Sequence, residues 1–281
     1  MCGIFGVIVK ENSSYNTEFL NKSIKLLSKL SEVRGKDSSG ICISDSTKID
    51  VYKGPIRISE LINRKIVINP LNDLFNNDKT RYAFGHARLV TNGSQLDDNN
   101  NQPVIKDNII GVHNGIVLNV DELWDENQDI KREFEIDSEI ILSLIRSNLN
   151  KNNDLETSVS KSLNKIFGTV SIALSFQDIN KFILATNNGS LYVIHNNKDI
   201  LFFASEQYIL KKLNTKLKLE SIIGEFEISQ IKPNYGIKID LTLFKVEKFN
   251  LKNTIKHELE IHNELLPLNI NYIKSKKIKI K

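Results

Sequence analysis

The 281-residue chain has two cysteines, Cys2 and Cys42, one methionine, one tryptophan and five prolines. With no CxxC pair, a structural zinc site has no ligand set, and two thiols support at most one bridge, which would consume Cys2. No apolar run approaches the ~20 residues of a membrane-spanning helix, and the stretch after Met1 lacks the charged lead and length of a secretory signal. A net charge of +4 is small for the length, and no basic stripe crosses the body of the chain, which argues against a nucleic-acid surface. The lysines gathered over 274–281 read as a solvated end. A protein of the cytoplasm with reduced thiols, neither membrane-bound nor nucleic-acid-binding, is the expectation from what is missing.

What is present is concentrated at the start: Met1-Cys2-Gly3-Ile4-Phe5-Gly6-Val7. Removal of Met1 would leave a thiol and a free α-amine on one residue. A thiol is a weak nucleophile until its proton is taken, and an α-amine, with a pKa of about 7.7–8.0, suits that task at neutral pH. Burial of a small residue at a strand start is the alternative reading of Cys2 alone.

Apolar periodicity organises the remainder. Residues 3–9 read as a buried strand, and Phe19, Leu20, Ile24, Leu27 and Leu30 fall at helical spacing behind a Thr17 cap. Strands are expected at 40–44, 49–53, 82–87 and 109–113, the last ending in an Asn114-Gly115 turn, whereas 55–80 reads as irregular around Pro55 and Pro70. Helices follow at 136–149 and 155–167, then a run of short strands from 169 to 249. Strand, helix pair, then strand meander argues for antiparallel sheets with helices on their outer faces. Residues 1–249 form one domain in this reading. Residues 250–281 form a charged extension with a short helix near 254–265.

Four stretches carry residue types beyond folding needs. Arg34-Gly35-Lys36-Asp37 is a charged loop closed by glycines. Arg88, in the loop after the 82–87 strand, offers a bidentate partner for a carboxylate. Asn114 and Gly115 place an amide beside a backbone N–H, the donors of an oxyanion hole. Asp137, at a helix start, is either a cap or a clamp for an ammonium. Together they supply a nucleophile, an anion clamp, an oxyanion hole and a cation clamp, the needs of amide hydrolysis on a free amino acid.

These stretches, with His86, Thr91, Gly93, His113, Ser138, Glu139 and Ala204-Ser205-Glu206, resemble the class II glutamine amidotransferase domain, whose nucleophile is N-terminal. The resemblance covers roughly residues 2–240, and it is stronger toward the glutaminase domains of glucosamine-6-phosphate synthase and amidophosphoribosyltransferase than toward asparagine synthetase. It implies an α+β fold, a four-layer αββα sandwich of two antiparallel sheets. It implies Cys2 as nucleophile with its own α-amine as base, Asn114 and Gly115 as oxyanion hole, and L-glutamine held by Arg88, Thr91, Asn92 and Asp137. Arg34, Gly35 and Asp37 would support the site, with no cofactor and no metal. Leu89 stands where the sugar-synthase branch commonly has Trp, Asn92 where His is common, and Gln102-Pro103 is nearer the phosphoribosyl branch. About 40 residues follow the match, against ~100–150 for a typical domain, so ammonia is expected to pass to a separate synthase, with a sugar as one candidate acceptor. Hydrolysis of another small amide and non-catalytic glutamine binding remain as alternatives, and an oligomer is compatible with all three.

Overall fold

Inward-facing residues repeat every second position along each strand because the β backbone alternates its side chains between two faces. In strand β1, Gly3–Val9, the even positions Ile4 and Ile8 enter one apolar layer and the odd positions Phe5, Val7 and Val9 another. A strand buried on both faces must lie between two layers, and the computed structural model, which describes residues 2–89, 94–252 and 264–274, has this arrangement.

The first sheet joins β1 to β2 (Ser38–Asp45), β3 (Ile49–Gly54), β4 (Arg81–Arg88), β9 (Tyr192–His195), β10 (Ile200–Ala204), β11 (Ser229–Gln230) and β14 (Leu268–Tyr272). Their order is β11-β9-β10-β1-β4-β2-β3-β14. The second holds β5 (Val104–Lys106), β6 (Ile109–Val117), β7 (Gly168–Phe176), β8 (Lys181–Thr186), β12 (Tyr235–Asp240) and β13 (Val246–Asn250). Its order is β13-β12-β8-β7-β6-β5.

Helices cover the outer faces. Over the first sheet pack α1 (Thr17–Ser31), α2 (Ile58–Leu61), α3 (Lys65–Asn76), α7 (Gln207–Leu217) and α8 (Glu220–Ile223); over the second pack α4 (Val120–Glu126), α5 (Ser138–Asn150) and α6 (Leu155–Leu163). The result is the four-layer α+β sandwich. Between the sheets, Phe182 packs edge-on against Phe84 with ring centroids 5.1 Å apart, and lies 5.6 Å from Phe203. Such pairs add ~0.5–1.5 kcal/mol each beyond the area they bury.

Four expectations need correction. Asn16, not Thr17, caps α1: its extended backbone lets Oδ1 accept the Phe19 N–H at 2.8 Å. Residues 55–80 are not irregular. Pro70 sits inside α3, where it forfeits one helical hydrogen bond, yet Val67, Leu71, Leu74 and Phe75 share one buried face that holds the helix to the sheet. Asn114-Gly115 is not a turn, because β6 continues through it to Val117, paired with β7 as far as Gly168. Gly115 answers to close approach instead: a Cβ there would stand 1.8 Å from the Thr169 carbonyl oxygen. Finally, the sheets are not wholly antiparallel. β14 runs parallel to β3, from Leu268 opposite Ile49 to Tyr272 opposite Lys53. The segment after Asn250 is therefore not an appendage throughout, since residues 268–272 form the edge of the first sheet. The basic run 275–281 and most of the helix expected near 254–265 lie outside the described residues.

Candidate active site

The two-residue period that builds the inter-sheet layer also places the chemistry. Cys2 shares the inward parity of Ile4 and Ile8; His86 and Arg88 share that of Tyr82 and Phe84; Asn114 shares that of Ile110 and Val112. Gly3 pairs with Ala87, so Cys2 leaves β1 beside the end of β4, with the end of β6 facing both across the sandwich. A hydrogen bond spans the gap there: the Cys2 backbone nitrogen donates to Asn114 Oδ1 at 2.8 Å. The thiol points to the Leu89 carbonyl oxygen, 3.6 Å from Sγ.

Burial pushes the Cys2 thiol above its ordinary value. The Leu89 carbonyl contact, the positive chain terminus and Arg88 act in the opposite direction, and the Asp137 carboxylate adds to the rise. Arg88 is itself almost wholly buried, and burial lowers its affinity for a proton, while the charges of Cys2, Asp137 and Asp37 oppose that loss. A guanidinium keeps its charge under these conditions, so the site holds a fixed cation. One of its nitrogens, Nη1, donates to Asn101 Oδ1 at 3.3 Å.

Asp137 precedes α5 without capping it through its side chain. Its Oδ2 accepts the Val117 N–H at 2.9 Å, and Oδ1 lies 4.0 Å from His113 Nδ1. The carboxylate is thus tied to the end of β6, just beyond Asn114 and Gly115. The loop at 34–37 lies beneath Arg88. The Asp37 N–H donates to the Arg88 carbonyl at 3.0 Å, and Gly35 passes so close that a Cβ would stand 2.2 Å from the Arg88 carbonyl carbon. Arg34 pairs with Glu206 at the start of α7. The fold therefore gathers Cys2, Arg88, Asn114, Gly115 and Asp137, with Gly35 and Asp37 as underlay and Arg34 at the margin. Thr91 and Asn92 lie outside the described residues.

Comparison with known proteins puts a family beside this geometry. Residues 86–212 match the family model described as a glutamine amidotransferase domain. The chain carries a glutamine amidotransferase domain. It is similar to the glutamine–fructose-6-phosphate aminotransferase of Thermococcus kodakarensis, at 30% identity over 242 residues, covering 85% of this chain and 37% of that one. It is also similar to the amidophosphoribosyltransferase of Methanocaldococcus jannaschii, at 28% identity over 262 residues, covering 84% of this chain and 50% of that one. The chain spans half or less of the length of these curated relatives. A solved glutamine phosphoribosylpyrophosphate amidotransferase from B. subtilis superposes with a TM-score of 0.63 at 20% identity, covering 90% of this chain and 50% of that one. That likeness establishes a common fold.

Three residues of the amidotransferase domain's site region carry no local sequence signal for the positions they take. His86 Nε2 meets the His113 carbonyl oxygen at 3.1 Å. Gln102 grips the same residue twice: its Oε1 accepts the His113 N–H at 2.6 Å and its Nε2 donates to the His113 carbonyl at 3.0 Å. Asn101 receives Arg88, as above. Gln102, next to Pro103, reads as loop, and what distinguishes all three is burial, which emerges only in the folded chain. Among the described residues no group of His, Cys, Asp and Glu forms a candidate metal site, and no helix is long and apolar enough to cross a membrane.

Proposed function

We propose that this chain hydrolyses L-glutamine to glutamate and ammonia, with Cys2 as nucleophile after removal of Met1. The observation that carries the reading is the 2.8 Å bond from the Cys2 nitrogen to Asn114 Oδ1. It fixes the future α-amine beside its own thiol and, by occupying Oδ1, turns the Asn114 amide Nδ2 toward the place where an oxyanion would form.

In this mechanism the buried thiol, whose pKa is raised, rests protonated and needs a base. The α-amine takes its proton, and Sγ attacks the side-chain amide carbon of glutamine. Asn114 Nδ2 and the Gly115 N–H stabilise the tetrahedral oxyanion. The C–N bond breaks as the ammonium returns its proton, giving ammonia and a γ-glutamyl thioester that water cleaves to glutamate. Arg88 pairs with the glutamine α-carboxylate and Asp137 with its α-ammonium, with Thr91 and Asn92 assisting; Arg34, Gly35 and Asp37 fix the loop beneath. Ammonia then passes to a separate synthase, for which amination of a sugar is the acceptor chemistry suggested by the aminotransferase relatives. The glutaminase unit would comprise residues 1–249 together with the edge strand β14, acting in the cytoplasm.

The decisive test is glutamate release by wild type and Cys2→Ala, with the intact mass of the purified protein. The reading expects loss of Met1, a Cys2 adduct with a glutamine-analogue electrophile, and release falling to background in the variant. Retained release by Cys2→Ala would assign the chemistry to another group.

A further inference from the structure

One buried cation near the site plays no part in the mechanism above. Lys53, on β3, is 2% exposed, and among the described residues no carboxylate lies within ion-pair range of its ammonium. Leaving an ammonium in such a place is expensive unless its donors are used. They are used on backbone: Nζ donates to the Asn101 carbonyl at 2.9 Å and to the Pro103 carbonyl at 3.2 Å. The Tyr272 ring of β14 lies 5.7 Å away, centroid to Nζ.

Register explains how the segment reaches both Lys53 and the site. Lys53 stands opposite Gly40, Gly40 opposite His86, and His86 opposite Ile4. The missing side chain at Gly40 leaves a slot, and the segment 101–103 lies in it. A Cβ at Gly40 would stand 2.2 Å from the Gln102 carbonyl oxygen and 2.8 Å from Pro103. Asn101 sends its Oδ1 to Arg88 and its Nδ2 to the Gln95 carbonyl at 2.8 Å. Gln102 holds His113, which is also anchored independently by His86. Asn101 is therefore the member of the segment whose backbone placement rests on Lys53 and whose side chain meets the site.

We propose that Lys53 is a positioning residue for substrate recognition: by fixing the Asn101 and Pro103 carbonyls it sets the guanidinium of Arg88 and so governs capture of the amino-acid end of the substrate. This rests on the glutaminase reading above, with Arg88 as the carboxylate partner. The reactivity of the Cys2 thiol is governed first by burial, the Leu89 carbonyl and the chain terminus, with Arg88 a smaller influence. Burial also pulls the Lys53 ammonium down to about 8, with Arg88 acting in the same direction and Asp98 and Asp97 opposing. Of the charged and titratable groups around it, only Tyr272 comes from the C-terminal strand.

The test separates recognition from reactivity. In Lys53→Met, KM for glutamine should rise about tenfold, equivalent to ~1.4 kcal/mol, while kcat stays within about twofold. Labelling of Cys2 by low concentrations of 6-diazo-5-oxo-L-norleucine, which carries the amino-acid head, should slow by a similar factor. Labelling by iodoacetamide, which lacks that head, should not change. Asn101→Ala should reproduce the pattern, and adding Lys53→Met to it should contribute little more, because both changes act on one contact. If Lys53→Met does not fold, Asn101→Ala alone decides by the same two reagents. Equal slowing with both reagents, or with neither, overturns the proposal. A wild-type protein that the analogue does not label overturns the glutaminase reading and this role with it, whereas a labelled wild type with an unaffected variant overturns this role alone.

Discussion

Along β4 the four inward positions are Tyr82, Phe84, His86 and Arg88, and the interior changes character with them. Tyr82 and Phe84 meet Phe182 and the aliphatic residues of the second sheet. His86 and Arg88, one and two steps further, meet a backbone carbonyl and an asparagine oxygen. The two sheets are thus joined by packing at one end and by directed hydrogen bonds at the other. Packing depends on volume and gives way gradually, whereas a buried polar contact fails at once when a partner is lost. Stability and chemistry should then be separable by mutation along a single interface.

The largest break in that comparison is Phe182→Ala. Phe182 is fully buried and touches the Tyr82, Phe84 and Phe203 rings. Truncation should cost ~3–5 kcal/mol in stability, read as a lowered urea midpoint. Glutamate release per folded molecule should remain near wild type below the transition. A specific loss of release in the folded variant would show that the two ends are not independent.

Asn114→Ala probes the polar end. Removal of one oxyanion donor costs about 10²–10³ in kcat, or ~2.7–4 kcal/mol of barrier. Here the same side chain also holds the Cys2 nitrogen, so kcat should fall while KM for glutamine, which the proposed mechanism assigns to Arg88 and Asp137, changes little. Its urea midpoint should move less than that of Phe182→Ala. A rise in KM with unchanged kcat would place Asn114 in ground-state binding instead.

The packed end was the legible one. Alternating or continuous apolar runs at β1, β4, β7 and β8, and the helical spacing of Phe19, Leu20, Ile24 and Leu27, are written in neighbouring residues. They need no partner to be seen. Helix α3 was hidden by Pro70, whose local penalty is outweighed by a buried face that only the sheet supplies. Asn114-Gly115 reads as a turn because the same dipeptide serves a hairpin and a close approach to a neighbouring strand. β14 was hidden by distance: its pairing with β3 spans more than two hundred residues and leaves no local mark. At the polar end, Cys2, Arg88, Asn114 and Asp137 were visible as residue types that folding alone does not require. His86 and Gln102 entered only through the family resemblance and Lys53 not at all, since each is an ordinary polar residue until its partner arrives from another strand or loop.

The effect that is smallest near neutral pH follows from the most buried of these. His86 Nε2 faces the His113 carbonyl, which only accepts, so Nε2 carries the proton; Nδ1 is buried with no hydrogen-bond partner. A second proton on Nδ1 would have nothing to bond. Burial, helped by the charges of Arg88 and His113, accordingly pulls the imidazole down to about 3. An unfolded histidine titrates near 6.5. Between those values the unfolded chain binds a proton that the folded chain refuses, so stability falls as pH falls from 6.5 toward 3. The slope is at most about 1.4 kcal/mol per pH unit. His86→Gln keeps a donor for the His113 carbonyl but does not titrate. Urea unfolding at several pH values between 4 and 7 should therefore show wild type losing ground to His86→Gln as the solution is acidified. The deficit of Phe182→Ala against wild type should stay constant over the same range, because nothing that it touches titrates there. A wild-type advantage over His86→Gln that does not change with pH would mean that His86 takes up a proton in the fold as readily as in the unfolded chain, and that this end of the sandwich tolerates charge where its geometry offers no acceptor.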